Sequence, residues 1–130
     1  KRITFKDEKD LKGGVEKLKK NFKIIEEEDY MTKPQKNGYR AYHFTIEEKG
    51  KPIEVQFRTH RQTKWADWGH DRLYDNINKT KELLGEKGYK DTEEYSQKMS
   101  VYYSKLDQGL DAELPEIPLI VTEKLGGGME

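Results

Sequence analysis

The stretch YHFTIEEKGKPIEVQFRT, residues 42–59, decides the fold. Tyr42, Phe44 and Ile46 alternate with His43, Thr45 and Glu47, and Ile53, Val55 and Phe57 alternate with Glu54, Gln56 and Arg58. A side-chain period of two belongs to a strand with one buried face, so the stretch predicts the two strands of a hairpin. Lys49 and Gly50 supply the turn, and a two-residue loop sets Ile46 opposite Ile53, Phe44 opposite Val55 and Tyr42 opposite Phe57. A loop longer by two residues changes the partners but not the faces. In either case His43, Glu54, Gln56 and Arg58 share the face opposite the apolar one.

Working outward, Ile3 to Phe5 reads as the end of a strand, and Leu11, Val15, Leu18 and Phe22 recur at helical spacing between Asp7 and Phe22. Gly13 and Gly14 weaken the first half of that helix. Phe22 to Ile25 is β-prone and is expected to stop at the glutamates, so that Glu26 to Glu28 form a solvated strand end and not a metal cluster. Tyr30 to Gly38, closing on Asn-Gly, is a loop. Thr59 can cap a helix over Arg61 to Asp75, where Trp65 and Trp68 flank the apolar stripe and are expected in the core. His70, beside them, is expected to be structural. Asn76 to Lys90 reads as a connector broken by Gly85 and Gly88, and Thr92 to Leu110 as a helix. Residues 1–75 thus form the main region and residues 76–125 a connector and helix packing on the same domain. Residues 126–130, with Gly126, Gly127 and Gly128, are expected to be a flexible tail.

The chain has 130 residues, 32% hydrophobic and 38% charged, which allows one modest core under an ionic surface. Lys+Arg and Asp+Glu both number 25, so no uniform field draws a polyanion and general nucleic-acid binding is not expected. The absence of cysteine removes disulfides, thiolate metal sites and cysteine nucleophiles. No apolar run is long enough for a membrane span or signal-peptide core, and a cytoplasmic location with no membrane partner is expected. A chain beginning at Lys1 is expected to be processed or to be a piece of a longer product.

The polar face of the hairpin carries the chemistry. A wet face is common in antiparallel sheets, but here a loop holding Pro34, Lys36, Asn37, Gly38, Tyr39 and Arg40 leads directly into His43, and Glu54, Gln56 and Arg58 follow. Aromatic ring, cations, carboxylate and amide on one wall suit a nucleotide. A ring stacks on a base, cations meet phosphates, and a carboxylate holds a metal ion or takes a hydroxyl proton.

Three motifs, DYMTKPQKNGYRAYH at 29–43, IEVQFRT at 53–59 and WADWGHDRLY at 65–74, lie in the order and spacing of the RelA/SpoT synthetase domain. The chain resembles that family over roughly Ile3 to Tyr74, and its small alarmone synthetases in particular. The resemblance implies an α+β fold, a mixed, largely antiparallel sheet flanked by helices, nucleotidyltransferase-like and without its N-terminal part. It also implies transfer of the β,γ-pyrophosphate of ATP, with Mg2+, to the ribose 3′-hydroxyl of GDP or GTP, giving (p)ppGpp in the stringent response. By residue, it implies that Asn37, Gly38 and Tyr39 bind the acceptor with Tyr39 stacked on guanine. Glu54 is implied as the magnesium-binding and catalytic carboxylate, and His43 and Gln56 border the acceptor. Arg40 and Arg58 are left to hold phosphates or brace Glu54.

Where the family usually has Pro-Lys before Asn-Gly-Tyr, this chain has Pro34 and Gln35, so the phosphate-contacting lysine is Lys36 or Lys33. The family's ATP-binding cations and first magnesium aspartate lie upstream of the position matching Arg2. Catalysis is therefore expected to depend on an upstream portion, this chain supplying the acceptor side. Two other readings stay open: a toxin of the same superfamily acting on tRNA or adenine nucleotides, and a non-catalytic nucleotide-sensing or partner-binding module. The helix after Thr92 is open to a role in a homo-oligomer or an upstream-domain contact.

Overall fold

The computed structural model describes residues 1–130. Strand β1 is Arg2–Phe5, helix α1 Glu8–Asn21, β2 Lys23–Asp29, β3 Tyr42–Glu48 and β4 Lys51–Thr59. Helix α2, His60–Gly69, runs into a π-helical turn, His70–Tyr74, and is followed by α3, Ile77–Asp107, and α4, Leu119–Leu125. The sheet order is β1-β4-β3-β2, with β1 parallel to β4 and the other pairs antiparallel, so the α+β, mixed and largely antiparallel architecture is as expected.

The hairpin register pairs Tyr42 with Phe57, Phe44 with Val55 and Ile46 with Ile53. Lys49 and Gly50 both take positive φ, 51° and 76°, the backbone of a two-residue turn that matches strand twist. The apolar face is covered by α1, which starts at Asp7, whose carboxylate accepts from the Asp10 amide at 2.9 Å. Leu11, Val15 and Leu18 bury against Phe44, Val55 and Phe57. Gly14 lets the Phe5 ring lie on the helix, for a Cβ there would stand 2.5 Å from Phe5 Cζ.

Strand β2 corrects one expectation, since it runs through the glutamates to Asp29. A bulge between Ile24 and Glu26 shifts the register, placing Glu26 opposite Thr45 and Glu28 opposite His43. Glu27 consequently falls on the α1 face, where Lys19 reaches it at 2.9 Å and the Tyr42 hydroxyl donates to it at 2.6 Å. Edge position makes the charged run tolerable, because one side of the strand stays in water.

A second core lies beyond the end of the sheet, where Trp65, Trp68 and Leu73 pack on Tyr95, Met99 and Tyr103 of α3. Thr59 caps α2 by accepting from the Gln62 amide at 3.1 Å, and its hydroxyl donates to Asp107 at 2.5 Å. Arg61 also reaches Asp107, at 2.9 Å, so the end of β4 is tied to the end of α3. Burial raises the Asp107 pKa despite both bonds.

The expected connector, 76–90, is instead helical: Asn76 caps α3, and Leu84 and Tyr89 enter the second core. Only Gly85 departs from helical backbone, at φ 74° and ψ 167°, and kinks the helix. The short helix α4 went unread in the sequence because two prolines precede it. It packs Val121 into the same core. In the tail, the Met129 amide donates to the Tyr95 hydroxyl at 3.0 Å, and Glu130 accepts from Lys64 at 2.5 Å and Tyr103 at 2.7 Å.

Candidate functional site

With α1 on one side of the sheet, the other side is left open. The strand registers assemble its residues: Glu28 beside His43, His43 beside Gln56, Thr45 beside Glu54, and Arg2 beside Gln56 on the parallel edge. His43, Glu54 and Gln56 line a shallow cavity of about 100 Å³ together with Glu26 and Glu28. Glu54 is exposed and makes no ion pair.

Beside this acidic cavity lies a larger one of about 430 Å³, lined by Arg2, Asn37, Tyr39, Arg58, Asp67 and His70 and floored by Trp65, Ala66 and Tyr74. Tyr39 joins the two cavities. Its hydroxyl lies 2.9 Å from His43 Nε2, and the rings meet edge to face at 5.7 Å. Tyr30 completes a cluster of three rings, 5.3 Å from His43 and 6.3 Å from Tyr39 centre to centre, and its own hydroxyl donates to Glu28. Burial pushes the Tyr39 pKa up and the His43 pKa down, which favours a neutral imidazole accepting from a neutral phenol.

Arg58 is only 4% exposed, stands 5.9 Å from the Tyr39 ring centre, and has an Nε with no partner. Burial lowers its pKa, although an arginine stays charged at neutral pH. A buried guanidinium with spare donors at a cavity wall is suited to an anionic oxygen.

The loop that carries Tyr39 is held from behind. Asn37 Oδ1 accepts from the Tyr39 amide at 2.9 Å, leaving its NH2 group free to donate. Gly38 has φ 100°, and a Cβ there would stand 3.1 Å from Ser100 Cβ and 3.3 Å from Trp65 Cζ2. The glycine therefore serves close approach to α3. Ser100 donates to the Gly38 carbonyl and accepts from Arg40 Nε at 3.2 Å, while Arg40 Nη1 donates to the Met31 carbonyl at 3.1 Å. Arg40 is thus taken up in bracing the loop to α3, away from Glu54. Lys33 and Lys36 are exposed and line neither cavity.

His70 differs from its expected structural role. Its side chain is 68% exposed, 3.3 Å from Asp71 and 3.8 Å from Asp75, and lines the Tyr39 cavity. Arg2, Asp67 and Ser100 were not singled out from sequence. Arg2 arrives through parallel pairing with β4, and Ser100 through a contact spanning 62 residues, neither of which leaves a local signal. No three His, Asp or Glu side chains converge as a metal site. No helix is long and apolar enough to cross a membrane.

The mixed four-stranded sheet with its flanking helices matches the fold of small alarmone synthetases. Residues 1–79 match the model of the region found in RelA/SpoT proteins, and the chain belongs to that family. The structure is similar to that of small alarmone synthetase 1 from Bacillus subtilis bound to its product pppGpp, at TM-score 0.62 and 26% identity over 83% of this chain. It is likewise similar to a GTP pyrophosphokinase family protein from Streptococcus pneumoniae, at TM-score 0.60 and 25% identity over 83% of the chain. Small alarmone synthetase 2 from Bacillus subtilis shares the fold at TM-score 0.62. The chain spans 57%, 58% and 61% of these three proteins respectively. No curated protein sequence matches it.

Proposed function

We propose that this chain supplies the acceptor-nucleotide side of a cytoplasmic (p)ppGpp synthetase, which moves pyrophosphate from ATP to the 3′-hydroxyl of GDP or GTP. The observation that carries the reading is the pairing of two adjoining cavities through Tyr39. One is aromatic and cationic, with Tyr39, Asn37, Arg2 and Arg58; the other holds Glu54, Gln56 and His43. In this reading the base stacks on Tyr39, Arg58 and Arg2 meet phosphate oxygens, and the ribose lies toward Glu54. Pyrophosphoryl transfer asks little covalent chemistry of the protein and much positioning and charge neutralisation. Glu54 is assigned the proton of the 3′-hydroxyl, with His43 and Gln56 bordering the ribose.

Magnesium fits the donor set. It is commonly held by one or two carboxylates plus substrate phosphates and waters, and an exposed Glu54 with no ion pair offers one such carboxylate. When bound, the ion would neutralise charge on the phosphates. Glu54 is the residue assigned to hold it, and Lys36, exposed in the loop before Asn37, is the cation assigned to the acceptor's phosphates.

The test is calorimetric titration of the chain with GDP, GTP and ATP in magnesium, for the unaltered protein and for Tyr39→Ala. Binding of GDP and GTP that weakens in the variant by about 1–3 kcal/mol, the usual worth of one base stacked on an aromatic ring, supports the reading. Binding of none of the three nucleotides would remove it.

A further inference from the structure

We propose that Asp67 is the residue that selects guanine in the Tyr39 cavity, by accepting hydrogen bonds from the base's Watson–Crick edge. The inference rests on the acceptor-site reading above and concerns what that site discriminates. An aromatic plate cannot choose a base by itself, since every base has a π-face. Selection requires polar atoms at the edge, and the cavity's inventory is short. Arg2 and Arg58 are cations, His70 turns its two ring nitrogens to Asp71 and Asp75 at 3.3 and 3.8 Å, and Asn37 has its carbonyl oxygen committed to the Tyr39 amide, so it presents only a donor. Tyr74, also in the lining, has a buried hydroxyl with no partner, and burial lifts its pKa to about 12, so it is a neutral phenol.

Asp67 is the one carboxylate in that lining. It is exposed and engaged in no ion pair, and it shares the cavity lining with Arg58 and Tyr39. A carboxylate accepts two parallel N–H bonds, and guanine offers N1–H and the 2-amino group side by side. The free NH2 of Asn37 complements the remaining acceptor, O6. Adenine presents a lone pair at N1 where the carboxylate needs a donor, and hypoxanthine keeps N1–H but lacks the 2-amino group. The order of affinity is therefore GDP, then IDP, then ADP.

Titration calorimetry of the unaltered chain, Asp67→Asn and Asp67→Ser with GDP, IDP and ADP tests this. Each bond pair of this kind discriminates by roughly 10-fold or more, so the unaltered chain should favour GDP over ADP by at least that factor, with IDP between. Both variants should lose most of the preference through weaker GDP binding, with ADP binding unchanged or improved. Unchanged GDP:IDP:ADP ratios in both variants would overturn the role of Asp67 and leave the acceptor site standing. An equal loss for all three nucleotides would also overturn it, since edge reading cannot act on every base alike. If the unaltered chain binds no purine nucleotide, the acceptor reading falls and this inference with it. Near-ultraviolet circular dichroism of the buried Trp65 and Trp68 confirms that each variant keeps its fold.

Discussion

The bond between the Tyr39 hydroxyl and His43 Nε2 depends on a neutral imidazole, and the surroundings of His43 favour one. Burial lowers its pKa from 6.5 first of all; Glu28 opposes this and Arg58 adds to it. Because the folded value lies below the unfolded one, the unfolded chain binds more protons between the two, and stability rises with pH across that window. The His43 contribution is complete above about 6.5 and is lost as pH falls through the folded value. An NMR titration of the His43 ring should show a midpoint below the ordinary histidine value, moving up toward it in Tyr39→Ala as the ring gains solvent. A midpoint at or above that value in the unaltered chain would mean that the imidazole is charged against Arg58 and that the bond is not formed as described. Glu54 makes a separate prediction. If it holds magnesium, GDP affinity should drop when the metal is chelated in the unaltered chain, whereas Glu54→Gln should bind GDP equally with and without magnesium. Most of these residues were visible in sequence, because strand alternation alone puts His43, Glu54, Gln56 and Arg58 on one face. Arg58 was ambiguous there, and only its burial against Tyr39 distinguishes a ligand-facing cation from a surface one.

Among the elements, α1 shows how two adjacent glycines differ once packing is known. Both weaken a helix in isolation. A Cβ at Gly13 meets nothing within 4 Å, whereas one at Gly14 would meet Phe5 at 2.5 Å, and Phe5 is itself packed edge-on to Phe57 at 5.0 Å. Gly13→Ala should raise stability by about 0.5–1 kcal/mol through helix propensity and reduced unfolded-state freedom. Gly14→Ala should lower it, because displacing the Phe5 ring costs about 1–3 kcal/mol, more than the propensity gain. Denaturant midpoints decide this, and equal gains in the two variants would refute the packing role of Phe5. The same gap between local and tertiary signal explains the misread segments. The glutamates of β2 do not look like a strand, because charge on an edge strand is permitted by where the strand lies in the sheet. Residues 76–90 look like a connector since two glycines and many lysines dilute the helical period, yet Leu84 and Tyr89 are enough to dock the segment.

At the level of the whole molecule, two cores meet along the acceptor loop. The family match ends at residue 79, while Tyr39 is held in place by Ser100 of α3 and the end of β4 by Asp107. A fragment of residues 1–79 should therefore fail to bind GDP and should lose the near-ultraviolet signal of Trp65 and Trp68, whose packing partners Tyr95, Met99 and Tyr103 it lacks. A fragment that keeps native tryptophan dichroism and GDP affinity would show that α3 is dispensable to the site. The sequence by itself determined the hairpin and its faces, the amphipathic helix α1, the cap at Thr59 and the family. All of these rest on short-range periodicity or contiguous motifs, which the chain carries as local pattern. Only the tertiary structure decided that Arg2 and Asp67 share a cavity with Tyr39, that Arg40 braces a loop, and that α3 serves as the loop's support. These arise from parallel pairing and from contacts between residues far apart in the chain, where each partner's identity is compatible with many others and geometry alone selects the pair.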